Sequence, residues 1–536
     1  MYAARPVRMR NDLFGVDVRL QCASAATGNL SGLYSGRHFD DGDDDYGQHD
    51  FGNGLYGALI SSAAKWTIER LRSVMSEHEV TCDVAVLGAG FAGLAAARAI
   101  NDAAERGAQQ QRVVVLEARE RVGGRVFTTT LPDGTWVDLG GQWLGAGQER
   151  LAHYLSRYRL ETYKTWTAGD NVLLWNGKRT LYRGTIPKLP LTALLGVAWA
   201  QFRLDRMAKQ VPLQAPWQAK SATEWDSQSF GSWLKRNVSS DLARQLLSIG
   251  METVFAEHAD NYSLLHALFY IHSGKNTDTL LGSEGGAQET RVSGGMQRLA
   301  EAMSQGLDVR LQTPVRRVQW SADGAVVHGD GLVVNAKRVI LTLPPPLMKE
   351  VVFEPPLPPS RQALHEGMPM GAAGKCVAVY DEPFWRKSGL SGMCVSDEGP
   401  CHVTFDSSPP EGKPGVLLGF VEADGARALG KLTESERRQR VLACFAKYFG
   451  EEARTPRSYV DKLWEHDPWA HGCYGAFCPP GLLTKHGSAL REPIGALHFA
   501  GTETATVWSG YIDGALSSGE RAAREVLMHS SKRITA

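Results

Sequence analysis

The pattern of apolar and polar positions predicts a strand, a helix and a second strand from residue 81 onward. CDVAVLG at 82–88 is a short apolar run that ends in glycine, which is typical of a buried parallel strand. The alanine-rich run AGFAGLAAARAI at 89–100 predicts a helix, and RVVVLEA at 112–118 repeats the strand pattern. We therefore expect the folded body to begin at 81 with the βαβ unit of an α/β protein.

Later stretches predict further elements of the same kind. RVILTL at 338–343 is a strand pattern that runs into PPPLMKEVVFEPPLPP at 344–359. The prolines exclude a helix or a central strand, so we expect the chain to leave the sheet there. GALHFAG at 495–501 is another strand closed by glycine, and GYIDGALSSGERAAREVL at 510–527 predicts a long helix.

The N-terminal segment differs from the rest of the chain in composition. HFDDGDDDYGQHDFGNG at 38–54 is rich in Asp and Gly, and it has too few aliphatic side chains to offset the entropy of ordering. Apolar residues at helical spacing predict a helix over 57–79. We expect residues 1–80 to be an extension, partly disordered and partly helical.

Charge and hydropathy narrow the functional classes. Lys plus Arg and Asp plus Glu both total 58, so the formal net charge is zero and does not indicate the basic surface that binds nucleic acid. The longest apolar candidate, LPLTALLGVAWA at 189–200, is shorter than the roughly 18 residues that a membrane helix needs. The first residues carry no apolar signal core. We expect a cytoplasmic, soluble protein without a membrane anchor or a nucleic-acid partner.

The turn between the first strand and its helix carries a dinucleotide fingerprint. Its GxGxxG pattern needs a strand before it and a helix after it, and both are predicted here. The first glycine permits the tight turn, the second lets the backbone approach a pyrophosphate, and the third lets helix and strand pack closely. Glu117 ends the second strand, where a carboxylate can bind an adenosine ribose. The fingerprint residues are Gly88, Gly90, Phe91, Ala92 and Gly93.

Two more glycine-rich segments indicate which dinucleotide binds. ARERVGGRV at 118–126 and DGTWVDLGGQWLG at 133–145 are elements that a nicotinamide dehydrogenase does not need. Paired glycines allow close backbone approach, and Arg125 can neutralise a phosphate with two hydrogen bonds. A longer and more enclosed cofactor, FAD, is therefore expected. The candidate residues here are Ala118, Arg119, Gly124, Arg125, Gly140, Gly141 and Gln142.

HGCYGAFCPP at 471–480 holds two of the eight cysteines. The cysteines form no CxxC pair, and the histidines nearby match no structural zinc spacing, so no metal site is predicted. A disulfide between Cys473 and Cys478 would need an oxidising compartment. From the residues alone, Cys473 is either a small buried side chain or a thiol that bonds to a cofactor.

Several separated motifs resemble the flavin-containing amine oxidases, and monoamine oxidases most closely. The similarity covers about residues 81–529. It rests on VLGAGFAGLAAAR, VVVLEARERVGGRVFT, VDLGGQW, SLLHALFYIHS, EGGAQETRVSGGMQRLAEAM, KCVAVYDEPFW, GCYGAFCPPG and FAGTETATVWSGYIDGALSSGERAAREVL. One position departs from the family pattern, because His471-Gly472 stands where the family has Gly-Gly.

The resemblance implies a two-domain fold with discontinuous domains. A Rossmann-like FAD-binding domain is expected over 81–162, 291–365 and 467–529. An interleaved α+β substrate-binding domain is expected over 163–290 and 366–466, and 530–536 is a tail.

The resemblance also implies roles for single residues. Tyr474 and Tyr511 match the two tyrosines that face each other before the flavin, and Lys375 matches the lysine that holds a water at flavin N5. Cys473 matches the cysteine that forms a thioether with the flavin. The resemblance and the predicted turns add further cofactor contacts at Trp464, Val315, Thr502, Glu503 and Ile512.

The implied activity is oxidative deamination of amines, with O2 as electron acceptor and H2O2 as product. An L-amino-acid oxidase and a polyamine oxidase share most of these motifs and stay open as alternatives. A non-catalytic flavoprotein or interaction module is the alternative of another class. The expected partners are a small amine and O2, with a homodimer as a further option.

Overall fold

A computed structural model describes residues 78–184 and 189–532 of the chain. The first strand begins at His78, three residues before the predicted start, and the predicted βαβ unit is present. Residues 78–80 of the predicted N-terminal extension, which include the end of its predicted helix at 57–79, belong to the first strand instead, so the prediction is wrong there. The extension up to residue 77 lies outside the described residues. So do 185–188 and 533–536.

The described strands are numbered in chain order. They are β1 (His78–Leu87), β2 (Val113–Leu116), β3 (Thr128–Thr130), β4 (Trp136–Asp138), β5 (Trp143–Leu144), β6 (Thr162–Lys164), β7 (Asp170–Trp175), β8 (Lys178–Tyr182), β9 (Thr290–Val292), β10 (Asp308–Arg310), β11 (Val315–Trp320), β12 (Ala325–Gly329), β13 (Leu332–Leu341), β14 (Val352–Glu354), β15 (Ala373–Tyr380), β16 (Leu390–Ser396), β17 (Val403–Asp406), β18 (Gly415–Glu422), β19 (Ser458–Leu463) and β20 (Leu497–Phe499).

The described α-helices are numbered in the same way. They are α1 (Phe91–Glu105), α2 (Glu149–Arg157), α3 (Leu191–Ala208), α4 (Ala222–Asp226), α5 (Phe230–Asn237), α6 (Asp241–Phe255), α7 (Leu264–Ser273), α8 (Thr277–Leu281), α9 (Gln297–Ser304), α10 (Pro359–Gly367), α11 (Phe384–Lys387), α12 (Ala423–Gly430), α13 (Glu434–Phe449), α14 (Leu482–His486) and α15 (Ile512–Lys532).

The first sheet contains the βαβ unit. Its strand order is β10-β2-β1-β13-β12-β11-β14, and β20 pairs with the second half of β13. β10, β2, β1, β13 and β20 run parallel, as buried apolar runs in an α/β fold should. The proline-rich segment does leave the sheet in a 3-10 turn at Pro345–Glu350, but it then returns as β14 at the sheet edge. An edge strand is where prolines are tolerated.

Helices α1 and α15 cover one face of this sheet. They share a buried cluster that includes Leu94, Ile100 and Leu516 with Val86 of β1. The two helices cross closely, because a Cβ at Gly519 would lie 2.0 Å from the carbonyl oxygen of Ala92. The C-terminal helix therefore holds the helix of the fingerprint in place.

The second sheet has the order β19-β15-β18-β17-β16-β7-β8 and is antiparallel except for the β16–β7 pair. Its strands come from two distant parts of the chain, 170–182 and 373–463, in agreement with the interleaved architecture. Helices α3 to α8 form a separate apolar cluster with residues near 476–490. Short ladders β3–β4 and β5–β9–β6 complete the described strands.

Candidate active site

One cavity of about 810 Å³ runs between the two sheets. At one end it meets the carboxyl ends of β1 and β2, which is where open α/β sheets bind ligands. At the other end it meets the faces of β16, β17 and β18. Its size lies in the ordinary range for cofactor and substrate sites.

Glycines shape the end of the cavity at β1. Gly88 has φ +102°, a conformation that favours glycine, and a Cβ on Gly93 would lie 1.9 Å from the carbonyl oxygen of Gly88. Gly90 faces Gly124, and a Cβ added to Gly124 would lie 3.3 Å from the Cα of Gly90. The N-terminus of α1 has no side-chain cap, so its first N–H groups are available to a phosphate.

Glu117 fixes the turn beside this cradle. One carboxylate oxygen accepts from the backbone N–H of Ala89 at 2.7 Å, and the other accepts from the N–H of Arg119 at 3.0 Å. The Arg119 guanidinium pairs with buried Asp467. The carboxylate predicted for the ribose therefore lies in the cavity wall and also organises the backbone of the fingerprint.

Arg125 has a partner that the sequence did not predict. Its guanidinium donates to both oxygens of Glu503, at 2.6 and 3.2 Å, and to the carbonyl oxygen of Tyr474 at 2.8 Å. Arg125 still lines the cavity. Its charge is engaged by a buried carboxylate, so Arg125 joins the second glycine-rich segment to the loop that carries Cys473.

Lys375 lies at the centre of the site. It belongs to β15, an interior strand between β18 and β19, so it is neither an edge nor a surface lysine. Its Nζ donates to the carbonyl oxygen of Gly140 at 2.6 Å and to Oε1 of Gln142 at 2.5 Å. The rings of Trp143 and Phe420 lie 5.4 and 5.3 Å from it. Burial lowers the pKa of Lys375 to about 7.

A buried ion pair stands behind Lys375. Arg291 donates to Asp138 at 3.2 Å, and both side chains are inaccessible to solvent. The Asp138 carboxylate partly offsets the effect of burial on the Lys375 pKa, whereas Arg291 adds to it. Asp138 and Arg291 both lie inside recognised sequence motifs, but only the tertiary structure shows that both act on the pKa of Lys375.

The two predicted tyrosines both line the cavity. Tyr474 makes an edge contact with Phe420, with ring centroids 6.3 Å apart. Tyr511 contacts the rings of Trp508 and Tyr270, at 5.1 and 6.0 Å. Burial raises the pKa of both phenols, so both stay neutral across the physiological range.

Cys473 also lines the cavity and is buried. Burial raises the pKa of its thiol to about 12, and Arg125 and Lys375 act in the opposite direction. Trp464 packs in the same small cluster, and its indole N–H donates to the carbonyl oxygen of Leu139 at 2.9 Å. The seven cysteines in the described ranges are free thiols, all of them buried.

The structure brings nearly all predicted site residues to this one cavity. Gly93, Trp464 and Glu503 are outside its lining but lie directly behind it. The predicted residues in the wall are Gly88, Gly90, Phe91, Ala92, Glu117, Ala118, Arg119, Gly124, Arg125, Gly140, Gly141, Gln142, Val315, Lys375, Cys473, Tyr474, Thr502, Tyr511 and Ile512.

The far end of the cavity is apolar, and the sequence did not assign its residues. Rings and aliphatic groups from α6, α7, α8 and β16 to β18 converge there, and among them are Val254, Tyr270, Leu280, Met393 and Phe405. No local signal in the sequence separated these cavity-wall residues from the residues of the core.

The residues fit a flavin dinucleotide. The glycine cradle and the uncapped helix N-terminus suit a pyrophosphate, and the apolar end leaves room for a small substrate. Gln142 supports this reading, because its buried Nε2 has no hydrogen-bond partner among the described residues and lies in the cavity wall. In the part of the chain that the structure describes, no group of His, Cys, Asp and Glu side chains could hold a metal ion. Across the same ranges, every helix is too short or too polar to cross a bilayer.

Comparisons with known proteins agree with the geometry. The family model for flavin-containing amine oxidoreductases matches residues 91–527. The putative flavin-containing monoamine oxidase AofH of Mycobacterium tuberculosis is 42% identical over 459 residues, which cover 85% of this chain and 99% of that protein. The flavin-containing amine oxidase B of Homo sapiens is 36% identical over 462 residues, 84% of this chain and 87% of that protein.

Solved structures show the same architecture. Putrescine oxidase bound to putrescine has a TM-score of 0.80 and 33% identity, covering 84% of this chain and all of that one. Cyclohexylamine oxidase from Brevibacterium oxydans IH-35A has a TM-score of 0.79 and 28% identity, covering 84% of this chain and 99% of that one. With its glycine cradle, a buried lysine and two tyrosines lining one cavity, the chain belongs to the family of flavin-containing amine oxidases, enzymes that oxidise amines with FAD.

Proposed function

We propose that this amine oxidase converts primary amines to imines, which hydrolyse to aldehyde and ammonia, while O2 is reduced to H2O2. One observation carries the proposal: Lys375, Gln142, Tyr474, Tyr511 and Cys473 converge on one cavity between the glycine cradle and an apolar end. When bound, FAD supplies the two-electron acceptor for this oxidation.

The chain holds the cofactor with the residues of the first sheet. The cradle of Gly88, Gly90 and Gly124 and the first N–H groups of α1 bind the pyrophosphate. Glu117 binds the adenosine ribose. Cofactor binding therefore depends on backbone geometry more than on cationic side chains, since Arg125 already pairs with Glu503.

The amine enters from the apolar end and lies between Tyr474 and Tyr511. Their ring faces attract the amine nitrogen, and the surrounding hydrocarbon lowers the pKa of a bound ammonium ion, which favours the reactive neutral amine. Lys375 would hold a water at flavin N5 and assist the reduction of O2. Its pKa of about 7 lets it exist in both protonation states under physiological conditions.

The Cys473 thiol is proposed to be bonded to the flavin as a thioether. Its S–H bond and one C–H bond of the flavin 8α-methyl group would be replaced by a C–S bond, and the two electrons and two protons released would pass to O2, giving H2O2. The position of the side chain supports this proposal, because Cys473 lines the cavity beside Tyr474. Burial raises the pKa of its thiol to about 12, and Arg125 and Lys375 offset only part of that increase. Acid denaturation followed by centrifugation tests this link. Yellow colour in the protein pellet supports the thioether, and colour in the supernatant contradicts it.

A panel of amines tests the activity and separates the alternatives. Two of the similar solved structures are a putrescine oxidase and a cyclohexylamine oxidase. The panel therefore contains putrescine, cyclohexylamine, benzylamine, phenethylamine and leucine. We expect peroxide with the monoamines, because the far end of the cavity is apolar. Oxidation of leucine alone would favour an amino-acid oxidase, putrescine alone would favour a polyamine oxidase, and a lack of peroxide with every compound would refute amine oxidation.

Two further expectations stay predictions. A homodimer is tested by light scattering on the eluted peak of a gel filtration column. A cytoplasmic location is tested by cell fractionation with an antibody against the chain.

A further inference from the structure

A buried carboxyl group lies directly behind the tyrosine wall. Glu422 is the last residue of β18 and precedes α12, and only 3% of it is exposed. It does not line the cavity, whereas Tyr474 does. The Tyr474 hydroxyl donates to Glu422 Oε1 at 3.4 Å. Glu422 can therefore affect the substrate site through the tyrosine.

The surroundings of Glu422 are unusual for a carboxyl group. No ion pair among the described residues includes it, although most buried carboxylates are paired with a cation. Burial, together with a smaller contribution from the nearby Glu252 carboxylate, raises the pKa of Glu422 to about 8. Glu422 is thus a neutral acid at pH 7 that ionises within the working range of an enzyme.

The elements next to Glu422 carry further titratable groups. Glu252 of α6 accepts from His258, and this contact raises the pKa of His258 to about 9. His258 also contacts exposed Asp424 of α12. Glu252 and Tyr474 act on Glu422 directly. The further titratable or charged residues on the adjoining elements are Glu257 and His258 after α6, Asp424 and Arg427 on α12, His402 before β17, Lys375 on β15, and Cys473 beside Tyr474.

We propose that Glu422 is a positioning residue for amine oxidation: it holds the Tyr474 hydroxyl in place and, by ionising, changes the charge beside the bound amine. This inference rests on the proposed function, in which Tyr474 contacts the amine. The acid form keeps the tyrosine hydrogen-bonded without adding charge.

The direction of the pH effect follows from the charge. When Glu422 loses its proton, a carboxylate stands behind Tyr474 and favours the ammonium form of a bound amine. The ammonium form is not oxidised, so ionised Glu422 moves the rise of kcat with pH to a higher pH than a neutral residue at this position would give. KM does not rise, because the carboxylate attracts the cation. If the carboxylate raises the pKa of the bound amine by about one unit, the reactive fraction is up to about tenfold lower at pH values below that pKa and nearly unchanged well above it.

Glu422→Gln separates this role from a merely structural one. The amide still accepts from Tyr474 but cannot ionise, so we expect kcat at pH 7 within about twofold of the wild type and a half-maximal kcat at a pH up to about one unit lower than in the wild type. Oxygen uptake with benzylamine from pH 6.5 to 9.5 measures both. Glu411→Gln is the matched control, because this exposed carboxyl precedes β18 at its other end and should leave the profile unchanged.

A double-mutant cycle keeps the proposal testable if the pH profile is complex. Glu422→Leu removes the acceptor, and we expect kcat at pH 7 to fall about tenfold. The same change in a Tyr474→Phe background should have little further effect, because the hydroxyl that Glu422 holds is gone. Flavin absorbance of each variant shows that the folded holoenzyme is compared.

The outcomes distinguish the two proposals. If the wild type oxidises no amine of the panel, the proposed function fails. If the wild type is active but Glu422→Gln follows the wild-type profile up to pH 9.5, or if the two changes in the cycle are additive, the role of Glu422 is refuted while amine oxidation stands.

Discussion

The buried lysine gives a quantitative prediction about stability. Replacement of Lys375 by Met keeps an unbranched side chain of similar length and removes the charge. In the wild type, burial lowers the Lys375 pKa from 10.5 to about 7. Between these values the unfolded chain binds more protons than the folded chain, so the stability of the wild type rises with pH. Below pH 7 both states are protonated and the full cost of the buried charge is present.

The size of the effect follows from the pKa difference. At 1.36 kcal/mol per pKa unit, the whole change is worth about 5 kcal/mol. Between pH 6 and 9 about 3 kcal/mol of it is realised. For a fold of roughly 450 residues, with an unfolding entropy of about 2.1 cal/mol/K per residue, this amounts to about 3 °C in Tm.

Differential scanning fluorimetry at pH 6 and 9 tests this reasoning. The Tm of the wild type minus that of Lys375→Met should increase by about 3 °C from pH 6 to 9. The carbonyl oxygens that lose their donor add a cost at both pH values and do not change the difference. Lys178→Met, at an exposed lysine in the edge strand β8, is the control and should run parallel to the wild type. If the Tm of Lys375→Met instead runs parallel to that of the wild type between pH 6 and 9, the lowered pKa of the buried lysine is refuted.

The same variant and three others test further parts of the site. Lys375→Met should slow reoxidation by O2 more than reduction by amine, which stopped-flow absorbance of the two half-reactions resolves. Gly93→Ala should abolish flavin absorbance, because its Cβ would overlap the Gly88 carbonyl, whereas Gly425→Ala in α12 meets only ordinary contacts and should retain it. Arg291→Met leaves the Asp138 carboxylate buried and unpaired and should cost about 3–5 kcal/mol in urea unfolding. Cys473→Ser should release all flavin on acid denaturation while the native variant stays yellow.

Local motifs in the sequence predicted the cofactor end of the site. Gly88, Gly90 and Gly93 form one turn between a strand and a helix. Because the glycines that this turn needs lie close together in the sequence, the turn could be predicted from the sequence alone. The long C-terminal helix and the parallel strands were predicted for the same reason, since helical and strand periodicities are short-range. The residues matched to monoamine oxidases at Lys375, Tyr474 and Tyr511 do line one cavity.

Contacts between distant segments decided the rest. A lone lysine in a strand pattern usually lies at a sheet edge or on the surface. Lys375 instead lies on an interior strand between β18 and β19, and this burial lowers its pKa. Arg125 was expected to meet a phosphate, yet Glu503, far along the chain, holds its charge. No sequence motif marked Glu422 as a site residue, because its proposed role depends on its contact with the Tyr474 hydroxyl. Periodicity and motifs describe neighbours along the chain, whereas desolvation and charge pairing depend on neighbours in space, and only the tertiary structure supplies those.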